Sequence, residues 1–191
     1  MTTRSPRHTI LSETATFDAK TGDLRVVVET PKGSRNKYDY DPTCDCLDLA
    51  TVLPEGMSFP YDFGFVPSTL GEDGDPLDIL ILMDAPVVPA CVIRARPIGV
   101  IEAKQKGKGE DWQRNDRLIA VATHAQTHEN VQSLQDLRPH LVDEIEAFFV
   151  DYNRLRGRKF KALALGGSAK SQKLIEAGIR AFKKRKLQNS K

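Results

Sequence analysis

The stretch EDGDPLDILIL at 72–82 sets three carboxylates, Asp73, Asp75 and Asp78, around a Gly-Pro turn that runs straight into an apolar strand. Carboxylates crowded this closely repel one another. Asp78 is the sharpest case, because it stands between Leu77 and Ile79 where a charge is costly unless it is paired or coordinates a metal. Oxygen-only ligands at such short spacing suit a hard divalent cation, Mg²⁺ or Mn²⁺, rather than zinc. The run is not an EF-hand: counting from Asp73, the fifth, sixth and twelfth positions are Leu77, Asp78 and Asp84, where that loop needs Asp or Asn, Gly and Glu.

Other chemistry-bearing residues have plainer readings. Cys44 and Cys46 lie two apart on an expected strand and so point to one face, but no second Cys or His pair stands at matching spacing, and they read as core packing rather than half a zinc site. His124 and His128 are four apart in HAQTHEN, yet no glutamate follows the first and the context is polar and loop-like, unlike a metalloprotease helix. QKGKGED at 105–111 lacks the G-K-[ST] ending of a phosphate loop. The basic run Lys183–Lys186 reads as a solvated helix end, since cations are favoured beside the negative end of the macrodipole.

The elements that must position the aspartates are mainly strands. LRVVVE at 24–29, CLDLATVL at 46–53, LDILILM at 77–83, CVIRARPIGVI at 91–101 and RLIAVA at 117–122 alternate with the turn clusters TPKG, LPEG and DAPVVPA, which predicts an all-β core. The period then changes. Leu141, Ile145, Phe148, Tyr152 and Leu155 recur at three or four residues between Pro139 and Gly157, predicting an amphipathic helix on that core. A second helix is expected from Ser168 as N-cap through Leu174, Ile175 and Phe182.

A chain of 191 residues with 40% hydrophobic content is expected to form one domain. Its net charge of +2, from 28 basic and 26 acidic residues, is too balanced for nucleic-acid binding by bulk electrostatics. Three cysteines without framework spacing favour a reducing compartment, MTTRSPRHTI lacks the apolar core of a signal peptide, and no 18-residue apolar run offers a membrane span. The expected location is cytoplasmic.

With these residues in place, the chain resembles the soluble family I inorganic pyrophosphatases. DGDPLD at 73–78 matches their D-x-D-P-x-D motif, VVVETPKGSRNKYDYD at 26–41 resembles the strand and lysine-tyrosine segment, and FPYDFGFVPSTLGEDGDPLD, VIRARPIGVI and FFVDYNRL match in order, covering about 24–180. The resemblance implies an α+β, mainly β fold: a five-stranded OB-like barrel with two flanking C-terminal helices in a single domain over 1–191, followed by a basic tail at 183–191. It also implies Mg²⁺-dependent, or Mn²⁺-dependent, hydrolysis of pyrophosphate to two phosphates, and a homo-oligomer, a hexamer in bacteria. By the same resemblance Asp73 and Asp78 hold metal with Glu29, Asp75 is a metal ligand and accepts the proton from water, and Lys37, Arg117 and Tyr152 bind phosphate oxygens. Metal binding lowers the pKa of water and neutralises the leaving phosphate.

Departures from the family pattern cluster on the site. The phosphate-binding arginine falls on Thr51, two tyrosines on Phe59 and Phe63, a glutamate on Asp39 and a lysine on Asn153. In QRNDRLIAV, Asn115 stands where a metal carboxylate is expected and Arg117 where lysine is, with Asp116 as a substitute only if the strand bulges. Glu110 or Asp111 in the long loop EAKQKGKGEDWQ is a further candidate for a displaced ligand. Three readings follow: a diverged pyrophosphatase, a hydrolase of another phosphoanhydride, or a non-catalytic metal or phosphate binder or subunit partner. The first is favoured by the intact aspartate trio.

Overall fold

The computed structural model describes residues 10–189, so the reading of the N-terminal nine residues and the last two of the basic tail lie outside it. In chain order the elements are β1 (Leu24–Thr30), β2 (Asn36–Asp41), β3 (Cys46–Val52), β4 (Asp62–Val66), β5 (Leu77–Leu82), β6 (Val92–Lys106), β7 (Gln113–Arg114), β8 (Arg117–Ala122), α1 (Leu141–Leu155), β9 (Lys159–Gly167) and α2 (Ser168–Asn189). Because β1 pairs with both β4 and β6, the path β1-β4-β5-β8-β6 returns to β1 and leaves no free edge within the ring. This is the expected five-stranded barrel. Strands β5 and β8 run parallel, with Ile79 opposite Leu118, which sets their N-terminal ends side by side. The long β6 continues beyond the ring to pair with β7 and β9, and β2 with β3 form a separate hairpin.

Burial explains why these runs are strands. Every residue of β4 and β8 is buried, as expected for strands covered on both faces. The buried core includes Leu24, Val26, Val28, Leu80, Leu82, Ile98, Val100 and Ile119 among others, drawn from both faces of the strands. Gly64 marks a close crossing, because a Cβ on it would lie 1.9 Å from the carbonyl oxygen of Val27. In β1 the register against β4 shifts between Val28 and Thr30, so Glu29 is the extra residue of a bulge.

Both helices begin where the sequence predicts. Helix α1 buries Leu141, Ile145, Phe149 and Tyr152, so the core-facing aromatic is Phe149 while Leu155 is exposed, a correction to the predicted stripe. It ends at Gly157, whose φ of 70° is the left-handed geometry glycine supplies at helix ends. Helix α2 rests on Ser171, Ile175 and Gly178. Among the described residues no helix is long and apolar enough to cross a membrane.

The cysteine reading is also corrected. Cys44 lies in the turn between β2 and β3, and both it and Cys46 are exposed and joined in a disulfide, so neither packs in the core. The signal for a turn was Asp45, which adopts a φ of 53°, a conformation Asp tolerates better than most residues. His124 and His128 form no pair: His124 Nε2 lies 3.3 Å from Arg94 and His128 Nδ1 lies 2.8 Å from the Thr127 hydroxyl.

Candidate active site

A cavity of about 710 Å³ is lined by residues of β1, β2, β4, β5, β8 and α1. Its wall includes Glu29, Lys37, Asp75, Asp78, Asn115, Arg117 and Tyr152. Seven expected site residues from five stretches of the sequence thus meet at one place. An adjoining cleft of about 330 Å³, against α2, is bordered by Asp73 and Asp116, and Asp78 and Asn115 border both spaces.

Strand geometry accounts for this convergence. Asp78 and Arg117 each precede the residues paired in the first rung of the parallel β5–β8 ladder, so their side chains are neighbours, and Arg117 Nη1 donates to Asp78 Oδ2. The β1 bulge carries Glu29, whose Oε1 accepts from the Tyr40 backbone N–H at 2.8 Å and whose Oε2 accepts from Lys37 Nζ at 3.2 Å. Lys37 also donates to Asp39 Oδ1 at 2.6 Å, and its ammonium lies 5.2 Å from the Phe63 ring centroid. Two cations, Lys37 and Arg117, therefore stand among the carboxylates.

Burial raises the energy of the anions. Asp73 is pushed up to about 6 by burial and then by the charges of Asp78 and Asp75. Asp78 is raised by burial against the pull of Arg117 and Lys37. Glu29 is pushed up to about 7 by burial, with Lys37 opposing. Lys37 itself is raised, because Glu29 and Asp39 outweigh the effect of its burial. Such a cluster calls for more positive charge than the two side chains supply.

The aspartate face fits a hard divalent cation in the chemistry of its donors, all of them oxygen. The Asn115 and Arg117 face does not: the guanidinium already fills it. Among the described residues no three His, Cys, Asp or Glu side chains converge as a ready-made metal site. Asp116 turns away, accepting from the Ala103 N–H at 2.8 Å and from Arg114 Nε at 2.5 Å. Glu110 accepts from the Gly107 N–H at 2.9 Å within its own loop and, like Asp111 and Thr51, is not part of the cavity wall.

The substituted aromatic positions are packed. Phe59 is 1% exposed and meets Phe148 and Tyr152 edge-on, and Phe63 is 4% exposed. Asn153 is buried and donates back to the Phe149 carbonyl at 2.9 Å, so it contributes nothing to the cavity's charge. Cations missed by the sequence reading line the cavity: Arg156, Arg158 and Arg185. Arg156 Nη1 donates to the Tyr152 hydroxyl at 2.5 Å, a contact foreshadowed by their spacing of four residues on a helix. Arg185, read as part of a solvated run, donates to the Gly74 carbonyl at 2.9 Å and so touches the aspartate loop.

Comparison with known proteins bears on this arrangement. The family model described as inorganic pyrophosphatase matches residues 26–183. An inorganic pyrophosphatase of a Nostoc species is 37% identical over 164 residues, covering 86% of this chain and 94% of that protein. The crystal structure of inorganic pyrophosphatase from Thermus thermophilus superposes with a TM-score of 0.82 at 31% identity, covering 91% of this chain and 99% of that one. The inorganic pyrophosphatase of Helicobacter pylori gives a TM-score of 0.80 at 31% identity over 90% and 99% of the two chains. With the match spanning the barrel, both helices and the aspartate loop, the chain belongs to the inorganic pyrophosphatase family.

Proposed function

We propose that the protein hydrolyses pyrophosphate to two phosphates with Mg²⁺, or Mn²⁺, held by Asp73, Asp75 and Asp78. The observation that carries this reading is the meeting of the aspartate loop with Lys37, Arg117, Tyr152 and the rim arginines around one polar cavity, which matches anions to cations and cations to a polyanion. Divalent ions bound there lower the pKa of the attacking water and neutralise charge on the leaving phosphate. Asp75, exposed on the loop, accepts the proton from that water. Lys37 binds a phosphate oxygen, and Tyr152 donates its hydroxyl hydrogen while accepting from Arg156. Glu29, the further metal ligand that the family likeness implies, also accepts from Lys37 and helps hold it in place.

Phe59 and Phe63 border the cavity but are only 1% and 4% exposed, so they present little ring surface to an organic group and do not favour an organic phosphoanhydride. The chain acts in the cytoplasm as a homo-oligomer, a hexamer by family likeness; Leu163 and Leu165, exposed on β9, support a subunit contact. Phosphate release from pyrophosphate and from a panel of nucleotides, each with Mg²⁺, Mn²⁺ or chelator, tests the reading. Turnover of pyrophosphate that stops with chelator is expected. Faster release from a nucleotide, or none from pyrophosphate, overturns it.

A further inference from the structure

Four oxygens converge on one nitrogen of Arg117. Nη1 donates to Asp78 Oδ2 and to Asn115 Oδ1, and lies 3.4 Å from the Asn115 carbonyl oxygen and 3.2 Å from that of Asp116. A carboxylate, an amide oxygen and two backbone carbonyls are the donor set that surrounds a hard divalent cation. Here they surround a guanidinium nitrogen.

The arginine is enclosed by aromatic rings and held through its two terminal nitrogens, while its buried Nε has no hydrogen-bond partner among the described residues. Its residue is 4% exposed, and the guanidinium carbon lies 5.0 Å from the Phe149 ring centroid, 5.7 Å from Phe160 and 6.0 Å from Phe63. Nη2 reaches Gln105 Oε1 at 3.4 Å. A guanidinium keeps its charge permanently, and aromatic faces stabilise it when desolvated. A divalent ion on Asp78 Oδ2 would stand within a few ångströms of this fixed positive charge in a setting where repulsion is weakly screened. Asn115 adds no negative charge to offset it.

We propose that the Arg117 guanidinium is a built-in replacement for one divalent cation, occupying the oxygen cage made by Asp78, Asn115 and Asp116, so that the site binds one metal ion fewer than its carboxylates would otherwise gather. This rests on the pyrophosphatase reading for the role of the remaining metal. It changes the role of Arg117 from a phosphate ligand to a positioning residue that neutralises Asp78 from within. Asp73, Asp75 and Asp78 would then hold the remaining metal.

Counting bound Mn²⁺ by equilibrium dialysis and electron paramagnetic resonance tests the proposal without reference to turnover. Wild type, Arg117→Gln, and Arg117→Gln combined with Asn115→Asp are compared. The expected result is one more Mn²⁺ per chain in the double variant than in wild type. Equal numbers overturn the proposal. Because these variants place a buried carboxylate at risk, a second measurement uses Asp78→Asn with chelator present. If Arg117 depends on Asp78, this substitution lowers the melting temperature by leaving a buried cation unpaired. If Asp78 is only one of several repelling carboxylates, it raises the melting temperature, and the proposal falls. Wild-type phosphate release is measured in parallel: loss of that activity with the extra Mn²⁺ still gained by the double variant sinks the functional reading alone.

Discussion

Asp75 and Asp78 differ by three positions and have different environments. Asp78 is tied to Arg117, whereas Asp75 stands exposed on the cavity wall and, among the described residues, no cation bonds its carboxylate. That contrast suits one to hold charge and the other to accept a proton. Asp75→Asn is therefore expected to lower phosphate release by about 10²- to 10⁴-fold, the usual contribution of a general base, with an unchanged melting temperature. Steady-state kinetics beside a thermal melt decide it, and near-wild-type turnover would remove Asp75 from this role. The aspartate motif was legible from its short spacing and strand context, whereas Lys37, Glu29 and Tyr152 were implied only by the resemblance to the pyrophosphatase family. The cage around Arg117 was not legible, since two of its four oxygens belong to the backbone and no residue type announces a carbonyl. Asp116 illustrates the same limit: alternation along β8 left its side unassigned until Ala103 and Arg114 were seen to take its oxygen.

At the scale of elements, the apolar strands β1, β5, β6 and β8 and both helices were readable from period and caps. Strands β2, β4 and β9 were not. NKYDYD is too polar to suggest a strand, and it becomes one through pairing with β3. DFGFV carries a glycine that weakens a strand on propensity, yet Gly64 is what lets β1 cross β4. KFKALALGG alternates weakly and runs into α2 with no loop between. Gly64→Ala is expected to destabilise the fold by about 3 kcal/mol or more, because the new methyl meets backbone at 1.9 Å and backbone cannot rotate aside. A urea midpoint near that of wild type would show that β1 and β4 can separate. A second element-level clamp joins the turn after β5 to the loop after β8: Asp84 accepts from the backbone N–H groups of Gln126 at 2.7 Å and Thr127 at 2.9 Å, and from the Thr127 hydroxyl. These bonds lower Asp84 from the ordinary 3.8 to about 2, the Thr127 hydroxyl first among them. A depressed carboxyl contributes stability above pH 3.8 that disappears as pH falls through about 2. The melting-temperature gap between wild type and Asp84→Asn is thus expected to be present at pH 5 and to close toward pH 2; a constant gap would contradict the clamp.

The whole molecule gathers its site from parts far apart in sequence. Lys186 pairs with Glu13 at 2.5 Å, and Arg185 reaches Gly74, so the end of α2 ties the start of the described chain and the aspartate loop to one another. A cluster built this way exists in the folded chain alone. Ions that bind it must shift the folding equilibrium by mass action, by about 2.7 kcal/mol when the free ion is at 100 times its dissociation constant. For a chain of this length that corresponds to a rise in melting temperature of about 5–10 °C. The rise should come with Mg²⁺ or Mn²⁺ and disappear with chelator. Asp73→Ala should shrink it, because Asp73 carries no bond to a protein cation and its raised carboxyl, at about 6, reflects burial beside Asp78 and Asp75 that a divalent ion would relieve. Replacing Cys44 and Cys46 together by alanine should leave the shift intact, since both are exposed in the β2–β3 turn and are already joined to each other. Thermal melts of the three proteins with and without metal separate the possibilities. If the cysteine variant loses the metal effect while Asp73→Ala keeps it, the stabilising ion sits at the hairpin and the aspartate loop is not the metal site.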